Sequence, residues 1–233
     1  MIERGVVEAL HRAQANKDPK AIAQAEALAS VLKAVKLDGF QDVPLPQAET
    51  LIAVQRFSQE ARKALEKEKY VICELSGQSI RTLREAGKPF WSTWHKDHSD
   101  FEQLTSRRSE VAINPNQLFL PNSNNKTLAQ QEKMVGDFSK KLSKKVQGVE
   151  AIVGEASDYV ELTFTYLGAT GVRLFGKDYD YRYTRTKTPT VGSYVARVGS
   201  FDADDGLHVH DWRHDGGHSS VWVSPLVVPV ESK

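Results

Sequence analysis

Apolar residues recur every three or four positions through the first 69 residues, and this spacing predicts a helical segment. One apolar stripe consists of Ile22, Ala25, Ala29, Leu32 and Val35, with Gly39 just past its end. A second helical stretch is predicted from about Ala48 to Lys69, ending in a charged run typical of a solvated helix face. Because such Ala-rich stripes bury little area, we expect the segment to pack on the rest of the chain or on a second copy.

From Tyr70 onward the predicted elements become shorter and include strands. They are a buried strand around Cys73, a helix over 79–86, a helix opened by the capping box of Thr127 and Gln130, and strands over 160–166, 191–198 and 221–230. The strand over 160–166 is predicted from the alternation of apolar and polar residues along it. Helices first and strands last favour an α+β fold over a parallel βαβ repeat.

Composition and charge exclude several classes of function. The 233 residues include 31 basic and 30 acidic side chains, and this net charge of +1 gives no field for general nucleic-acid binding. A mean hydropathy of −0.45, with no apolar run of about 18 residues, predicts no membrane span. The N-terminus has no apolar stretch typical of a secretory signal, so we expect synthesis as a cytoplasmic protein, with the final location open. The single cysteine excludes an internal disulfide and is interpreted as a core residue.

Residues 199–220 have an unusual composition. Sixteen of these 22 residues are Asp, His, Gly or Ser, and they include four of the seven histidines of the chain. Lys, Glu, Gln, Thr and Asn are absent from the segment. Local composition alone could explain this pattern, but two physical interpretations compete with it.

One interpretation is a metal site. His208 and His210 would point to one face of a strand, while His214 and His218 flank a turn, and four imidazoles could hold Zn²⁺, Ni²⁺ or Cu²⁺. No Glu stands nearby as a general base, and the His spacing of zinc proteases is absent. A second pair, His95 and His98, is interpreted as part of a solvated loop beside an aromatic core.

The other interpretation concerns the genetic code. Asp, His, Ser, Gly, Arg, Tyr and Asn are the residues reached when the adenines of an AAC codon are replaced freely, whereas Lys, Glu and Gln are not reached. Apolar residues that would stay constant flank this segment, ending in Val221-Trp222-Val223-Ser224-Pro225-Leu226-Val227-Val228-Pro229. Over about residues 191–230 the chain resembles the variable proteins of diversity-generating retroelements, which display such residues on a C-type-lectin-like fold. This chain has Ser224-Pro225-Leu226 where many members end in a Gly-Phe-Arg-type sequence, and it lacks their surface-anchoring signals.

The apolar spacing predicts a helical segment over 1–69, in which no resemblance to the family is found. The resemblance implies an α+β, C-type-lectin-like domain over 70–233, with a variable region at about 199–220. It implies a receptor-like protein of a prokaryote or phage, without catalysis, cofactor or Ca²⁺, that binds an unknown protein or cell-surface ligand. The helical segment would serve packing or self-association. The implied ligand contacts are Asp202, Asp204, Asp205, His208, His210, Asp211, Arg213, His214, Asp215, His218, Ser219 and Ser220. The implied constant scaffold is Phe201, Leu207, Val209, Trp212, Val221 and Trp222.

Two alternatives stay open at this point. The first is a metal-binding protein or metal-dependent enzyme using His208, His210, His214 and His218. The second is a structural or phage-associated protein with an unusually polar loop. In the receptor-like interpretation, the histidines of the variable surface would make binding sensitive to pH near about 6.5.

Overall fold

Helices and strands mix along the chain, which confirms the predicted α+β class. The computed structural model describes residues 54–91, 99–176, 179 and 181–230. The helices are α1 (Gln59–Lys67), α2 (Ile80–Glu85), α3 (Ser99–Gln103), α4 (Leu128–Ser143) and α5 (Ala156–Thr170). The strands are β1 (Val71–Ser76), β2 (Arg108–Ile113), β3 (Val149–Ile152), β4 (Tyr183–Pro189), β5 (Tyr194–Phe201), β6 (Leu207–Arg213), β7 (Val221–Trp222) and β8 (Leu226–Pro229).

The strands form two four-stranded sheets within the described residues. The first has the order β1-β2-β8-β3 and is antiparallel throughout. The second has the order β6-β5-β4-β7, in which only the β4–β7 pair is parallel. The strand predicted over 221–230 is therefore two short strands in different sheets, separated at Pro225, which has no backbone N–H for a ladder.

Helix α5 lies at the centre of the fold and corrects the strand predicted over 160–166. It contacts β1 of one sheet and both β4 and β5 of the other, and its residues 156–164 are all buried. A helix buried on every side shows no amphipathic period, so its local alternation resembled that of a strand. Two of its buried polar side chains have partners: Thr163 Oγ1 donates to Tyr159 O within the helix, and the Glu161 carboxylate accepts from Ser76 N of β1 at 2.8 Å.

A second hydrophobic cluster lies between α1, α4 and the first sheet. Helix α1 begins at Ser58, whose side chain accepts from Ala61 N, and it buries Ala61 and Leu65 in this cluster. Helix α4 begins with the predicted capping box, in which Thr127 and Gln130 bond each other's backbone N–H. The predicted burial of Cys73 in β1 is confirmed, and this burial raises the pKa of its thiol to about 11.

Some sequence predictions fall outside the described residues. They include the apolar stripe before Gly39 and the pair His95 and His98. The division of the chain at residue 69 stays a prediction, because residues 1–53 are among those not described. None of the helices in the described part of the chain has the length and hydropathy of a membrane span.

Candidate functional site

The predicted ligand contacts lie along β6 and at its two ends. The β5–β6 turn (202–206) precedes the strand, and the 213–220 loop follows it. Seven residues of extended chain place these two ends about 20 Å apart. The twelve positions therefore divide into a turn, a strand face and a loop.

The β5–β6 turn displays three exposed carboxylates on a backbone closed by one of them. Oδ1 of Asp202 accepts from the N–H of Asp204 at 2.9 Å and of Asp205 at 2.7 Å. The hydrogen bond from the Asp205 amide is the main reason that the pKa of the Asp202 carboxyl lies below its ordinary value. The turn ends at Gly206, which has φ +92°, and a Cβ there would come within 2.7 Å of the Pro89 backbone.

One group of three potential metal ligands occurs among the described residues. It consists of Asp202, Asp205 and His208, whose candidate ligand atoms lie within 4.8 Å of one another. Among the described residues, no three of the four imidazoles at 208, 210, 214 and 218 lie close enough together to share an ion. His208 and His210, for example, have ring centroids 6.5 Å apart. The four-histidine site required by the metal hypothesis is thus not assembled.

The strand face of β6 packs its two histidines instead of displaying them. His208 is only 9% exposed, and its ring stacks on Trp91 with centroids 4.4 Å apart and an interplanar angle of 14°. His210 contacts the same indole at 5.3 Å. Trp91 is held beside β6 by its backbone N–H, which donates to Leu207 O at 3.1 Å. His208 was predicted to be solvent-facing, and this was wrong because Trp91 and Tyr183 cover its ring.

Arg197 provides a cation on the same face. The strand register places it opposite His210, and its guanidinium lies 4.2 Å from the Tyr183 ring centroid and 5.6 Å from that of Trp212. Burial lowers the pKa of Arg197. Burial, followed by the charges of Arg197 and His208, also lowers the pKa of His210, so the face favours a neutral imidazole.

The backbone of the 213–220 loop is held by hydrogen bonds from neighbouring segments. His214 N donates to Ser193 O at 2.9 Å, and His214 O accepts from Leu128 N at 2.7 Å. His218 O accepts from Asn125 N at 3.0 Å. Gly217 lies against Asn125 so closely that a Cβ would come within 2.7 Å of its carbonyl carbon. The loop backbone is therefore anchored on the segment that leads into α4.

A buried arginine completes this anchoring. Arg185 of β4 is fully buried, and its guanidinium donates to Arg213 O, to Gly216 O at 2.6 Å and to Lys126 O at 3.1 Å. Burial lowers its pKa to about 10. One side chain thus joins both ends of the loop's first turn to the segment before α4.

The loop side chains, in contrast, contribute little to holding its backbone. His214, Asp215 and Ser219 are exposed, and Asp215 pairs only with the exposed Arg213 at 2.9 Å. His218 is the exception, because its Nδ1 lies 2.8 Å from Ser220 Oγ and its ring packs on Trp212 at 4.6 Å. Asp211, on β6, is half-buried and accepts from Thr190 Oγ1 at 3.2 Å.

The predicted scaffold residues divide into two classes. Phe201, Leu207, Val209 and Val221 are at most 1% exposed, as expected of a core. Trp212 and Trp222 are only half-buried; Trp222 lies 5.2 Å from the guanidinium of Arg182. The two indoles are therefore partly exposed, and Trp222 packs against the edge of the main hydrophobic cluster.

Sequence reasoning missed Arg185 and Arg197. Arg185 alternates with Thr in β4, two positions before Lys187, and Arg197 follows three apolar or small residues in β5. A long cation within a strand that contains no acidic residue was the available signal. The carbonyls that Arg185 binds come from residues 28 to 59 positions away along the chain, so the pattern could not have identified them.

Comparisons with known protein families, with curated proteins and with solved structures give no match.

Proposed function

We propose that this protein is a non-enzymatic, receptor-like binding protein that presents the exposed side chains of the 213–220 loop to a protein or cell-surface ligand. In this proposal the domain is lectin-like, and the loop residues vary between copies of the gene while the backbone is preserved. The ligand contacts are then His214, Asp215, Ser219 and the exposed Arg213, with the carboxylates of the β5–β6 turn forming a separate patch.

One observation carries the proposal: the loop backbone is anchored by groups outside the loop. Arg185, Ser193, Asn125 and Leu128 supply the bonds that hold it, and none of them belongs to the polar segment. A substitution at an exposed loop position therefore leaves no cavity and no buried unpaired group. A binding surface that must change its sequence requires this separation of backbone support from side-chain display.

The composition of the segment supports the same proposal. Its Asp, His, Gly and Ser residues are among those reached when the adenines of an AAC codon are replaced, as in the variable proteins that the segment resembles. Such side chains supply donors and acceptors in a small area, as antibody loops do. His208 does not fit this use, because its ring is covered, so we restrict the proposed contacts to the exposed positions.

The nucleotide sequence around the gene tests the variable-protein part of the proposal. We expect AAC-derived codons at the exposed positions, a near-identical template repeat, and a neighbouring reverse-transcriptase gene. Ordinary codons with no repeat and no such gene would contradict this part.

A pair of libraries tests the display part. Full randomisation of His214, Asp215 and Ser219 should leave most members as resistant to protease as the parent, and selection on a panel of proteins should yield specific binders. The matched library randomises Thr184, Thr186 and Thr188, which are buried in β4, and should lose resistance in most members. Equal losses in both libraries, or no binders from the loop library, would sink this part of the proposal.

A further inference from the structure

The β5–β6 turn and the start of β6 bring two kinds of metal ligand to one place. Two carboxylate oxygens, of Asp202 and Asp205, and an imidazole nitrogen of His208 lie within 4.8 Å of one another. Both carboxylates are exposed, so an ion can reach them from solvent. A mixed set of oxygen and imidazole ligands suits Zn²⁺, whereas Ca²⁺ and Mg²⁺ favour oxygen ligands alone.

Closure of the turn accounts for the position of only one of these three side chains. Oδ1 of Asp202 accepts from the backbone N–H of Asp204 and of Asp205, and these two bonds fix the Asp202 carboxylate. Neither bond uses Oδ2 of Asp202 or the carboxylate of Asp205. The turn therefore does not explain why a second carboxylate and an imidazole from the neighbouring strand lie beside the first.

The imidazole is held in place by groups outside this set. Trp91 stacks on the His208 ring with an interplanar angle of 14°, and the Tyr183 hydroxyl lies 3.3 Å from Nδ1. These contacts cover the ring faces, while one ring nitrogen lies near the two carboxylates. Histidine ligands of zinc are typically oriented in this way by a second group. A ligand that is already oriented loses less conformational freedom when the ion binds.

The spacing of the three ligand atoms requires only a local adjustment. Atoms that each lie about 2.1 Å from a tetrahedral zinc ion are about 3.4 Å apart. The three atoms are separated by up to 4.8 Å, so they must approach one another by up to about 1.4 Å. Asp205 is exposed, and rotation of its side chain between staggered positions can supply that movement.

We propose that Asp202, Asp205 and His208 together bind one Zn²⁺ ion. Three protein ligands leave the fourth position of a tetrahedral ion open, for a water molecule or for a donor atom of a bound partner. The ion would also join the β5–β6 turn to strand β6. This site lies outside the 213–220 loop, so it goes beyond the proposed function and does not depend on it.

The test measures Zn²⁺ binding to the full chain, purified without a histidine tag. Calorimetry at pH 7.5 should show saturable binding of one ion per chain, and Zn²⁺ should raise Tm in a way that EDTA reverses. Ca²⁺ and Mg²⁺ at the same concentration should leave Tm unchanged. Asp205→Asn should weaken Zn²⁺ binding at least tenfold. The matched control Asp204→Asn makes the same charge change in the same exposed turn but outside the ligand set, so it should weaken binding less than threefold.

A second pair of variants tests the imidazole. His208→Gln should weaken Zn²⁺ binding at least tenfold, whereas His214→Gln, in an exposed histidine of the loop, should bind as the parent does. If His208→Gln fails to fold, the Asp205 and Asp204 variants still decide the matter. Absence of saturable binding, equal losses in Asp205→Asn and Asp204→Asn, or loss of binding in His214→Gln would overturn the proposal. None of these outcomes bears on the libraries that test display by the 213–220 loop.

Discussion

The 213–220 loop and strand β6 both contain Asp and His residues. The fold exposes most of these side chains in the loop but packs the histidines of the strand against neighbouring residues. In the loop, outside groups hold the backbone and the side chains of His214 and Asp215 point to solvent. On the strand, the ladder with β5 holds the backbone, and His208 is covered by Trp91 and Tyr183. Composition therefore does not identify which side chains are exposed. Exposure depends on which side of the strand or loop is covered by neighbouring segments.

The largest effect should come from removing the arginine that anchors the loop. Arg185→Met removes the guanidinium donor from three carbonyls, of which Arg213 O keeps its bond from Gly216 N, and we expect the free energy of unfolding to fall by about 3 kcal/mol. Urea denaturation measures this loss, and amide hydrogen exchange should show faster exchange in the 213–220 loop. The control is Arg182→Met, which replaces an exposed arginine and should lower the free energy of unfolding by under about 0.5 kcal/mol. Similar costs for the two variants would mean that Arg185 does not anchor the loop.

A slightly smaller effect is expected where the loop meets the segment before α4. Gly217→Ala places a Cβ 2.7 Å from the Asn125 carbonyl carbon, so one of the two backbones must move, at a cost of about 1–3 kcal/mol. Gly136→Ala in α4 is the matched control, because its Cβ meets no atom within 4 Å and Ala favours a helix. Thermal denaturation should show opposite shifts of Tm for the two variants. A Gly217→Ala protein as stable as the parent would show that the contact is not tight.

The comparison between strand and loop is tested directly by the same substitution in each. His208→Tyr enlarges a side chain packed between Trp91 and Tyr183, and should destabilise the fold by about 1–2 kcal/mol. His214→Tyr changes an exposed side chain and should alter stability by under about 0.5 kcal/mol. Chemical denaturation of both variants decides the matter: equal costs would remove the distinction between packed and displayed histidines.

The smallest effect concerns pH. Burial, Arg197 and His208 lower the pKa of His210, with Asp211 acting in the opposite direction, so the folded state favours the neutral imidazole. In the unfolded chain the His210 imidazole takes up a proton below about pH 6.5, more readily than in the folded protein. The contribution of His210 to the free energy of unfolding is therefore full above that pH and decreases as the pH falls.

Unfolding free energies at pH 7.5 and 5.5 measure this contribution. The decrease between the two values should be smaller in His210→Gln than in the parent, whereas the exposed His214→Gln should behave as the parent does. An unchanged pH dependence in His210→Gln would show that the burial of this imidazole does not affect stability.

Local signals predicted the elements whose stabilising groups are close in sequence. The capping box of Thr127 and Gln130 and the short helix after Ser79 depend on neighbours within a few residues. The strand around Cys73 pairs with the distant β2, but its short apolar run was enough to predict it. Helix α5 was missed because distant segments bury it on every side, which removes the amphipathic period; Glu161, for example, bonds to Ser76 of β1. The candidate site divides in the same way: the polar segment was found from composition, but the covering of His208 was not.

Composition and short-range spacing were sufficient to establish the α+β class, the absence of an internal disulfide and the position of the unusual polar segment. Which of those polar residues face solvent follows from long-range packing instead. Burial depends on segments far apart in the chain, such as Trp91 against β6 and Arg185 against the 213–220 loop. Those contacts form when the sheets and α5 pack together, and no local pattern records them.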